Sequence, residues 1–373
     1  MTSGRTIKPP TIFEVAALAG VSKSTVSNVI RDAHGVAEPT RERVLEAIER
    51  LGYRPNALAR QFVAQRTTTL GVLVGDLDNP FYAEMAKLIE RWAFHHGYLA
   101  MFCNIEGDDA LARSGVEAML EQRVAGVVFL ASADRSSVVE DLIRQQTPVV
   151  FVGLRDDSAD SVAASDADGG RLATEHLLDH GHEKIGYLTT PAVEQRADRA
   201  RYAGYRRAMK RAGLAARPAV RWVPGSEEVR VGARPAPLSE ILMGPDRPTA
   251  LFVSNDMGAI ALQEFMDMHR VHVPADISLV GFDNVSLAGL ARISLTTVAQ
   301  PMDDLARLGV ARLVEKVQGN GQASRPRLIS VPVSLVVRGS SGPVGRGSGM
   351  GRVAARPYAD NTPIDSPNRG FGV

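Results

Sequence analysis

From Thr67 onward, short apolar segments alternate with amphipathic helical patterns, and this alternation restricts the fold more than any other feature. An apolar segment at 69–74 is followed by a helical pattern near 83–96 and by a second apolar segment at 99–103. Later apolar segments lie at 126–130, 149–152, 184–188, 250–253 and 278–281. Such alternation is typical of parallel α/β sheets. The strands are too many for one compact sheet of ordinary size, so we predict two lobes.

The length and composition of the chain allow a large core. It has 373 residues, of which 45% are apolar and 23% are charged, so two or more domains are expected and global disorder is excluded. The 43 Lys and Arg residues nearly balance the 42 Asp and Glu residues. Residues 1–66, however, hold ten basic against six acidic residues. A basic excess in this segment is compatible with a nucleic-acid partner there.

The sequence contains no recognisable targeting or membrane segment. The N-terminus lacks the apolar stretch of a signal peptide, and no apolar run reaches the length of a membrane span. The single cysteine, Cys103, cannot form an internal disulfide and is expected to be a buried strand residue in a reducing compartment. Residues 341–373 are rich in Gly, Pro, Arg and Asp and are expected to form a disordered tail.

Residues 11–51 contain three short helical patterns. Thr11 and Glu14 form the Thr-x-x-Glu pattern of a capping box for the first helix, and Ser22 can cap the second. The third helix is expected over 39–51. Its apolar face is predicted to consist of Val44, Leu45, Ile48 and Leu51.

The first two helices and the glycine turn between them follow the order of a helix-turn-helix motif. In such a motif the N-terminal turns of the second helix enter the major groove, where Lys can donate to guanine and Asn can pair with adenine. The residues expected to contact bases are Lys23, Ser24 and Asn28. The residues expected to contact phosphates are Ser22, Thr25 and Ser27. The pattern alone also allows a small helical domain without a DNA partner.

The order of residues in this segment resembles one family closely. The chain reads T-I-x-x-V-A-x-x-A-G-V-S-x-x-T-V-S at 11–27, T-R-x-R-V at 40–44 and G-Y-x-P-N-x-x-A-R at 52–60. These motifs are similar to the head of the lactose-repressor/galactose-repressor (LacI/GalR) family of transcriptional regulators. The resemblance implies a small all-α helix-turn-helix DNA-binding domain over 1–55 and a hinge over 56–66.

The family's hinge forms a helix on DNA and inserts apolar side chains into the minor groove. The corresponding hinge contacts in this chain are Asn56, Ala59 and Phe62. Three residues depart from the family pattern: Phe62 replaces a leucine, Asn28 replaces an arginine, and Ala37 replaces a serine helix cap. These departures predict altered kink geometry, altered base preference and the loss of a cap worth about 1 kcal/mol.

The resemblance continues to about Ser340. Its landmarks include D-N-P-F-Y at 78–82, R-Y-A-G-Y at 201–205, S-N-D at 254–256 and V-G-F-D-N at 280–284. It implies a periplasmic-binding-protein-like α/β body over 67–340, in which two doubly wound parallel-sheet lobes close over a ligand. The first lobe is expected over 67–165 and 299–330, and the second over 166–298 and 331–340.

Ligands of doubly wound folds bind at the carboxyl ends of the strands. This rule selects Asp78, Asn79, Asn255 and Asp283, each placed after an apolar strand. The family resemblance adds Phe81, Arg201 and Gln300. Arg201 and Asp283 are expected to hold the ligand from opposite sides of the cleft, and the set suits a sugar or a nucleobase. Alternatively, Asn255 and Asp283 only cap the helices that follow. Trp222 lies either near the cleft or in the core.

The sequence contains no Walker loop, no Gly-x-Ser-x-Gly elbow and no His-Glu-x-x-His motif. His176, His180 and His182 have a metal-like spacing, but no cysteine or acidic partner with suitable spacing lies nearby. The sequence therefore predicts neither an enzyme nor a metal or cofactor site.

These observations predict a cytoplasmic, nucleoid-associated regulator. The resemblance to the family implies that this regulator is a repressor. It is expected to act as a homodimer on near-palindromic double-stranded operator DNA and to respond to a small-molecule effector, a sugar or nucleobase-like metabolite. The alternative from another class is a solute-binding or carbohydrate-processing protein with an incidental helical head. The missing signal peptide argues against transport binding, and the missing catalytic motifs argue against an enzyme.

Overall fold

The computed structural model of the chain describes residues 10–30, 35–53, 67–130, 136–191, 195–319 and 326–345. Over these ranges a three-helix head precedes an α/β body with two sheets. No helix in the described part of the chain has both the length and the apolarity needed to cross a membrane.

The head consists of α1 (Ile12–Ala19), α2 (Lys23–Ile30) and α3 (Glu38–Leu51). The predicted capping box is present, and the Glu14 carboxylate accepts a hydrogen bond from the Thr11 N–H at 2.6 Å. A small buried cluster holds the three helices together: Val15, Ala16, Ala19, Val26, Val29, Val44 and Ala47. The prediction for Leu45 is wrong, because Ala47 faces the other helices and Leu45 is 51% exposed.

The body alternates strands and helices as the sequence predicts. In chain order its strands are β1 (Thr69–Val74), β2 (Leu99–Asn104), β3 (Val127–Leu130), β4 (Val149–Val152), β5 (Asp160–Ala164), β6 (Ile185–Thr189), β7 (Val220–Trp222), β8 (Glu228–Val231), β9 (Arg234–Pro237), β10 (Ala250–Val253), β11 (Ser278–Asp283), β12 (Thr296–Ala299), β13 (Leu328–Val331) and β14 (Ser334–Val336). Its helices are α4 (Pro80–His95), α5 (Asp109–Glu121), α6 (Ser136–Arg144), α7 (Asp166–Asp179), α8 (Gln195–Arg211), α9 (Leu238–Met243), α10 (Asp256–Met268) and α11 (Met302–Gln318).

Two sheets define two lobes. The first lobe carries a six-stranded, wholly parallel sheet in the order β13-β5-β4-β3-β1-β2. The second lobe carries an eight-stranded sheet in the order β14-β12-β11-β10-β6-β7-β8-β9. Its centre is parallel, whereas β14 and the β7–β8–β9 meander pair antiparallel. The central strands β3, β4 and β10 are buried along their whole length, as expected for parallel strands covered by helices on both faces.

The chain crosses between the lobes three times: after β5, after β12 and after β13. Helix α11 follows the second crossing and packs on α4 and on β4 and β5 of the first lobe. The lobes are therefore built from segments that are far apart in sequence, and three short connections join them.

The structure corrects the predicted start of one helix and the predicted burial of one residue, and it decides the position of Trp222. Helix α4 begins at Pro80 rather than near 83, because the Asn79 side chain caps it and proline suits a first helical turn. Cys103 is a strand residue, but it is only half-buried because β2 lies at the edge of its sheet. Trp222 is 1% exposed, and its indole N–H donates to the Ser226 carbonyl at 2.7 Å, so it belongs to the core.

The sequence predicts a disordered tail from residue 341, but this boundary lies too early in the chain. Residues 341–345 are held against the second lobe, where the Val344 N–H donates to the His180 carbonyl at 3.0 Å. Backbone groups with such partners are fixed, so the ordered body extends to 345. The remaining part of the predicted tail, 346–373, lies outside the described residues.

Candidate functional site

The turn between α1 and α2 has the geometry of a helix-turn-helix. Gly20 ends α1 in the left-handed region at φ 65°, a conformation that glycine adopts without strain. The Val21 N–H then donates to the Ala16 carbonyl at 3.0 Å. The Ser22 hydroxyl accepts from the Thr25 N–H at 3.1 Å and begins α2. The predicted cap of the second helix is therefore present.

Helix α2 presents the polar face that the sequence predicts. Lys23 and Ser24 are exposed and Asn28 is half-buried, whereas Val26 and Val29 face the other helices. The Lys23 ammonium lies 5.1 Å from the centroid of an aromatic ring on α1, that of Phe13. Sequence reasoning did not single out this ring, which orients Lys23 by a cation–π contact.

Ser22 and Thr25, two of the three residues expected to contact phosphates, have hydrogen-bond partners within α2 and its cap. The Ser22 hydroxyl lies 2.7 Å from the Ser24 hydroxyl and 2.8 Å from the Thr25 hydroxyl, and Ser27 is half-buried one turn later. The expected hinge contacts Asn56, Ala59 and Phe62 lie outside the described residues.

The polar residues at the end of β1 form the rim of the first lobe. Asn79 caps α4 by accepting from the Phe81 N–H at 3.1 Å. The exposed Asp78 donates its backbone N–H to the Asp76 carboxylate at 3.0 Å. The Phe81 ring is 8% exposed and meets the Tyr82 ring edge-to-face at 5.2 Å. Of the three residues expected here, Asn79 therefore has a clear structural role as a cap.

The second-lobe cluster centres on Arg201 of α8, which is 4% exposed. Its Nε donates to the Asp166 carboxylate at 2.8 Å, and its Nη1 donates to the Ser254 carbonyl at 2.5 Å. The same nitrogen lies 3.9 Å from Asp283 Oδ1. The guanidinium also stacks 3.6 Å from the centroid of the Phe282 ring. The cation is thus almost fully enclosed and is balanced by two carboxylates.

Asp283 is the last residue of β11, and its carboxylate also accepts from the Gln300 amide at 2.7 Å. Burial raises the pKa of Asp283 to about 6, although Arg201 and Gln300 both favour the charged form. The prediction that Arg201 and Asp283 lie on opposite sides of the cleft is wrong. Both belong to the second lobe and form one ion pair, because the Arg201 guanidinium stacks on Phe282, the residue that precedes Asp283 in β11.

Asn255 joins this cluster at the end of β10. Its side-chain oxygen caps α10 by accepting from the Gly258 N–H at 3.3 Å and also accepts from the Thr190 hydroxyl at 3.0 Å. The capping alternative therefore applies to Asn255. It does not describe Asp283, whose side chain pairs with Arg201 and Gln300.

Two acidic residues of this cluster were missed by sequence reasoning. Asp166, at the start of α7, follows β5, which was not predicted, so the strand-end rule could not select it. Asp256 lies within the Ser-Asn-Asp motif and is fully buried; it accepts from the Thr297 hydroxyl at 2.5 Å and from the Val285 N–H at 3.0 Å. Burial and the neighbouring Asp283 raise the pKa of Asp256 to about 8.

The carboxyl ends of the two sheets face each other. On one side, the Ser286 N–H just after β11 donates to the Glu84 carboxylate of α4 at 2.8 Å. On the other, the Arg196 guanidinium of α8 lies 3.4 Å from the Asp157 carboxylate in the loop after β4. The second-lobe cluster therefore lies beside the junction of the two lobes, as the strand-end rule predicts.

A separate groove of about 490 Å³ lies on the second lobe. It is lined by residues that precede β6, β7 and β10, including Lys184, Arg217 and Pro248, so it lies at the amino ends of these strands. None of the expected effector contacts lines it.

Two of the three histidines with metal-like spacing, His176 and His182, contact the segment that follows β14. His182 Nε2 lies 3.0 Å from the Gly342 carbonyl, and His176 Nε2 lies 2.8 Å from the Ser341 hydroxyl. Burial lowers the pKa of His176 and of His182. Among the residues described, no three His, Cys, Asp or Glu side chains are grouped so that they could hold a metal ion.

Comparisons with known proteins agree with this geometry. Residues 11–56 match the model of "Bacterial regulatory proteins, lacI family", and residues 174–341 match that of a periplasmic binding protein-like domain. The chain is 36% identical over 334 residues to the ribose operon repressor of Escherichia coli (strain K12), covering 89% of this chain and 99% of that protein. It is 35% identical over 334 residues to the HTH-type transcriptional repressor PurR of Photobacterium profundum, covering 88% of this chain and 98% of that protein.

Among solved structures, the chain resembles the lac repressor dimer bound to operator and the anti-inducer ONPF. The TM-score is 0.75 at 28% identity, and the match covers 90% of this chain and 100% of the other. Three findings indicate the same family: the motifs of the head, the two-lobed body, and the similarity to relatives over nearly their full length. The chain therefore belongs to the LacI family of bacterial regulatory proteins, and it is a DNA-binding transcriptional repressor under small-molecule control rather than an enzyme.

Proposed function

We propose that the effector binds between the lobes against the second-lobe cluster, and that it is a small polyhydroxylated metabolite with D-ribose as the first candidate. The observation that carries this proposal is the placement of one buried cation, one carboxylate and two amides at the carboxyl ends of one sheet. These groups belong to Arg201, Asp283, Gln300 and Asn255.

The chemistry of these groups suits adjacent hydroxyls. A carboxylate such as Asp283 accepts from two hydroxyls, while Arg201 and the Asn255 amide donate to their oxygens. From the first lobe, Phe81 supplies an apolar surface, and Asp78 and Asn79 complete the polar rim. A relative of 36% identity is named a ribose operon repressor, which supports D-ribose. A nucleobase is the second candidate, because the Phe81 ring could stack on a planar ligand.

A thermal-shift experiment on the full chain tests the effector class. D-ribose, other pentoses and hexoses, hypoxanthine and adenosine are compared at the same concentrations. A ligand present at 100 times its Kd stabilises the folded chain by about 2.7 kcal/mol, so its Tm shift is easily measured. A shift with hypoxanthine and none with any sugar would replace the sugar proposal by the nucleobase one.

The head is proposed to bind operator DNA through two sets of contacts. Lys23, Ser24 and Asn28 contact base edges in the major groove, and Ser22, Thr25 and Ser27 contact phosphates. The hinge residues Asn56, Ala59 and Phe62 contact the minor groove, with Phe62 as the apolar wedge.

The wedge is tested by Phe62→Ala. Specific operator affinity should fall by roughly one to several kcal/mol, the scale of an unstacking contact, while non-specific binding stays nearly intact. Fluorescence anisotropy with operator and with random DNA at one salt concentration measures both. An equal loss on both kinds of DNA argues against a wedge.

At the level of the whole chain, we propose a homodimer on a near-palindromic operator in the nucleoid. Its segments are a DNA-binding domain at 1–55, a hinge at 56–66 and an effector domain that begins at 67 and extends to 345. Selection of bound fragments from genomic DNA at moderate salt supplies the operator. Retained fragments that share no near-palindromic site would overturn the proposal of a homodimer on a two-fold symmetric operator.

A further inference from the structure

The turn that follows β11 has an unusual backbone conformation. Asp283 has φ 122° and the next residue, Asn284, has φ 60°, and neither is glycine. Two successive residues with positive φ persist only where surrounding contacts hold them. Because Asp283 supplies the carboxylate of the proposed effector site, whatever holds this turn also sets the position of that carboxylate.

Two groups hold the turn from different sides. The buried Asp256 carboxylate accepts from the Val285 N–H at 3.0 Å. On the other side, Arg338 Nη2 donates to the side-chain oxygen of Asn284 at 2.7 Å, and Arg338 Nη1 donates to the Leu295 carbonyl at 2.7 Å. Arg338 is 54 residues away from Asn284 in sequence and lies just after β14.

The segment after β14 is itself fixed. The Arg338 N–H donates to the Thr296 hydroxyl at 2.9 Å. Two residues later, the Ser340 hydroxyl donates to the Leu279 carbonyl at 2.7 Å and accepts from the Thr296 N–H at 2.8 Å. The Arg338 guanidinium is therefore presented to the turn from a rigid base, and its planar fork donates from two separate nitrogens to two acceptors in a fixed geometry.

We propose that Arg338 is a positioning residue of the effector site: it holds the Asn284 side chain and thereby fixes the turn that aims the Asp283 carboxylate at Arg201 and Gln300. The functional part rests on the proposed function, since Asp283 is taken there as an effector contact. Arg338 itself makes no contact with the ligand. Its effect passes through the backbone of Asn284.

The matched control is Ser340→Ala. This variant loses hydrogen bonds from the same segment but leaves the contact between Arg338 and Asn284 in place. A general loosening of the C-terminal segment would therefore affect Ser340→Ala and Arg338→Ala alike. An effect through Asn284 is specific to Arg338→Ala.

Hydrogen exchange on the full chain without ligand tests the structural part. In Arg338→Ala, the amides of Asn284 and Val285 should exchange at least about tenfold faster than in wild type. Ser340→Ala should change them less than about threefold, with the β10 amides as the reference for global opening. The proposal is overturned if the amides of Asn284 and Val285 exchange at the same rate in wild type and Arg338→Ala. It is also overturned if Arg338→Ala and Ser340→Ala accelerate their exchange equally.

A double-mutant cycle with Asn284→Gly tests the route of the effect. D-ribose affinity, measured by calorimetry, should fall about tenfold in Arg338→Ala alone. In the Asn284→Gly background, Arg338 has no Asn284 side chain to hold. Arg338→Ala should there lower the D-ribose affinity less than about threefold. An equal loss in both backgrounds shows that Arg338 does not act through Asn284. If the wild-type chain binds no D-ribose, the ribose proposal fails, and the exchange experiment still decides the role of Arg338.

Discussion

The second-lobe cluster places a cation and two carboxylates in a nearly dry environment. Arg201 is 4% exposed, and it balances Asp166 and Asp283. Removing one partner of a buried ion pair leaves an uncompensated charge, which typically costs about 3–5 kcal/mol of stability. Arg201→Ala would therefore report on folding as much as on ligand binding. An isosteric change at Asp283 tests the ligand contact more cleanly, because Arg201 then still pairs with Asp166 at 2.8 Å.

Asp283→Asn should weaken effector binding while leaving the lobe folded. The amide keeps the size of the side chain but loses the charge that accepts two hydroxyls. Hydrogen bonds to charged groups contribute about 1.5–3 kcal/mol, so affinity should fall about ten- to a hundredfold. Calorimetry with D-ribose, or with the compound that the thermal shift selects, measures this loss. Asp246→Asn, at an exposed carboxylate of the same lobe, is the control and should bind as wild type does. An unchanged affinity in Asp283→Asn would place the effector elsewhere.

Asp256 should make the stability of the chain depend on pH. Burial raises its folded-state pKa to about 8, above the value of about 3.9 in an unfolded chain. The folded state then binds the extra proton between these values, so the contribution of Asp256 to stability is fully present below about pH 4 and is lost as the pH rises through 8. Asp256→Asn, which imitates the neutral acid, should flatten this dependence.

Chemical denaturation at pH 5 to 8.5 measures this effect. One extra bound proton corresponds to a slope of about 1.4 kcal/mol per pH unit, and the wild type should lose stability more steeply than Asp256→Asn over that interval. Parallel curves for the two proteins would show that Asp256 is ionised in the folded chain at every pH tested.

At the scale of elements, the head depends on short helices whose ends are well defined. The Glu14 contact begins α1, Gly20 ends it, and the Ser22 hydroxyl begins α2. Helix α3 follows Ala37 without a side-chain cap, as its sequence predicts. The buried cluster packs α2 against the other helices through Val26 and Val29, whereas Lys23 and Ser24 on its first turn are exposed.

Replacing Lys23 and Ser24 together by alanine should change which DNA sequences are selected from a random pool. Both side chains are exposed on the N-terminal turn of α2, the part of such a helix that enters the major groove. Each lost base contact typically costs about 1–3 kcal/mol of discrimination. Glu46→Ala, an exposed change on α3, is the control and should keep the wild-type consensus. A wild-type consensus bound more weakly by the double variant would mean that these residues touch phosphates alone.

At the scale of the whole molecule, control by an effector requires two couplings. Ligand binding must change the arrangement of the two lobes, and that arrangement must change how the head binds DNA. The lobes meet through contacts between Ser286 and Glu84 and between Arg196 and Asp157. A ligand that binds both lobes therefore changes the relative free energy of their arrangements.

Linkage makes a quantitative prediction for the full chain. If the effector weakens operator binding by some factor, saturating operator must weaken effector binding by the same factor. Calorimetry with and without operator DNA gives one factor, and anisotropy with and without effector gives the other. Factors that differ beyond error would show that the two ligands act on different populations, such as a dimer and a monomer.

Local patterns in the sequence determined most of the elements. Continuous apolar runs predicted β4 and β10 with their observed bounds, and the capping residues predicted the ends of α1 and α2, because hydrophobic periodicity and end caps act over a few residues. The strand-end rule and the family motifs also selected Asp283 and Gln300, which the structure brings into contact.

Other features were decided only by contacts between distant segments. The β7–β8–β9 meander has charged and proline-containing strands without an apolar run, so only its pairing at the sheet edge defines it. Leu45 is exposed because the head packs through smaller side chains. The pairing of Arg201 with Asp166 and Asp283 depends on how α8 lies against α7 and β11, since the energy of a buried charge depends on which charges surround it in space and not on sequence spacing.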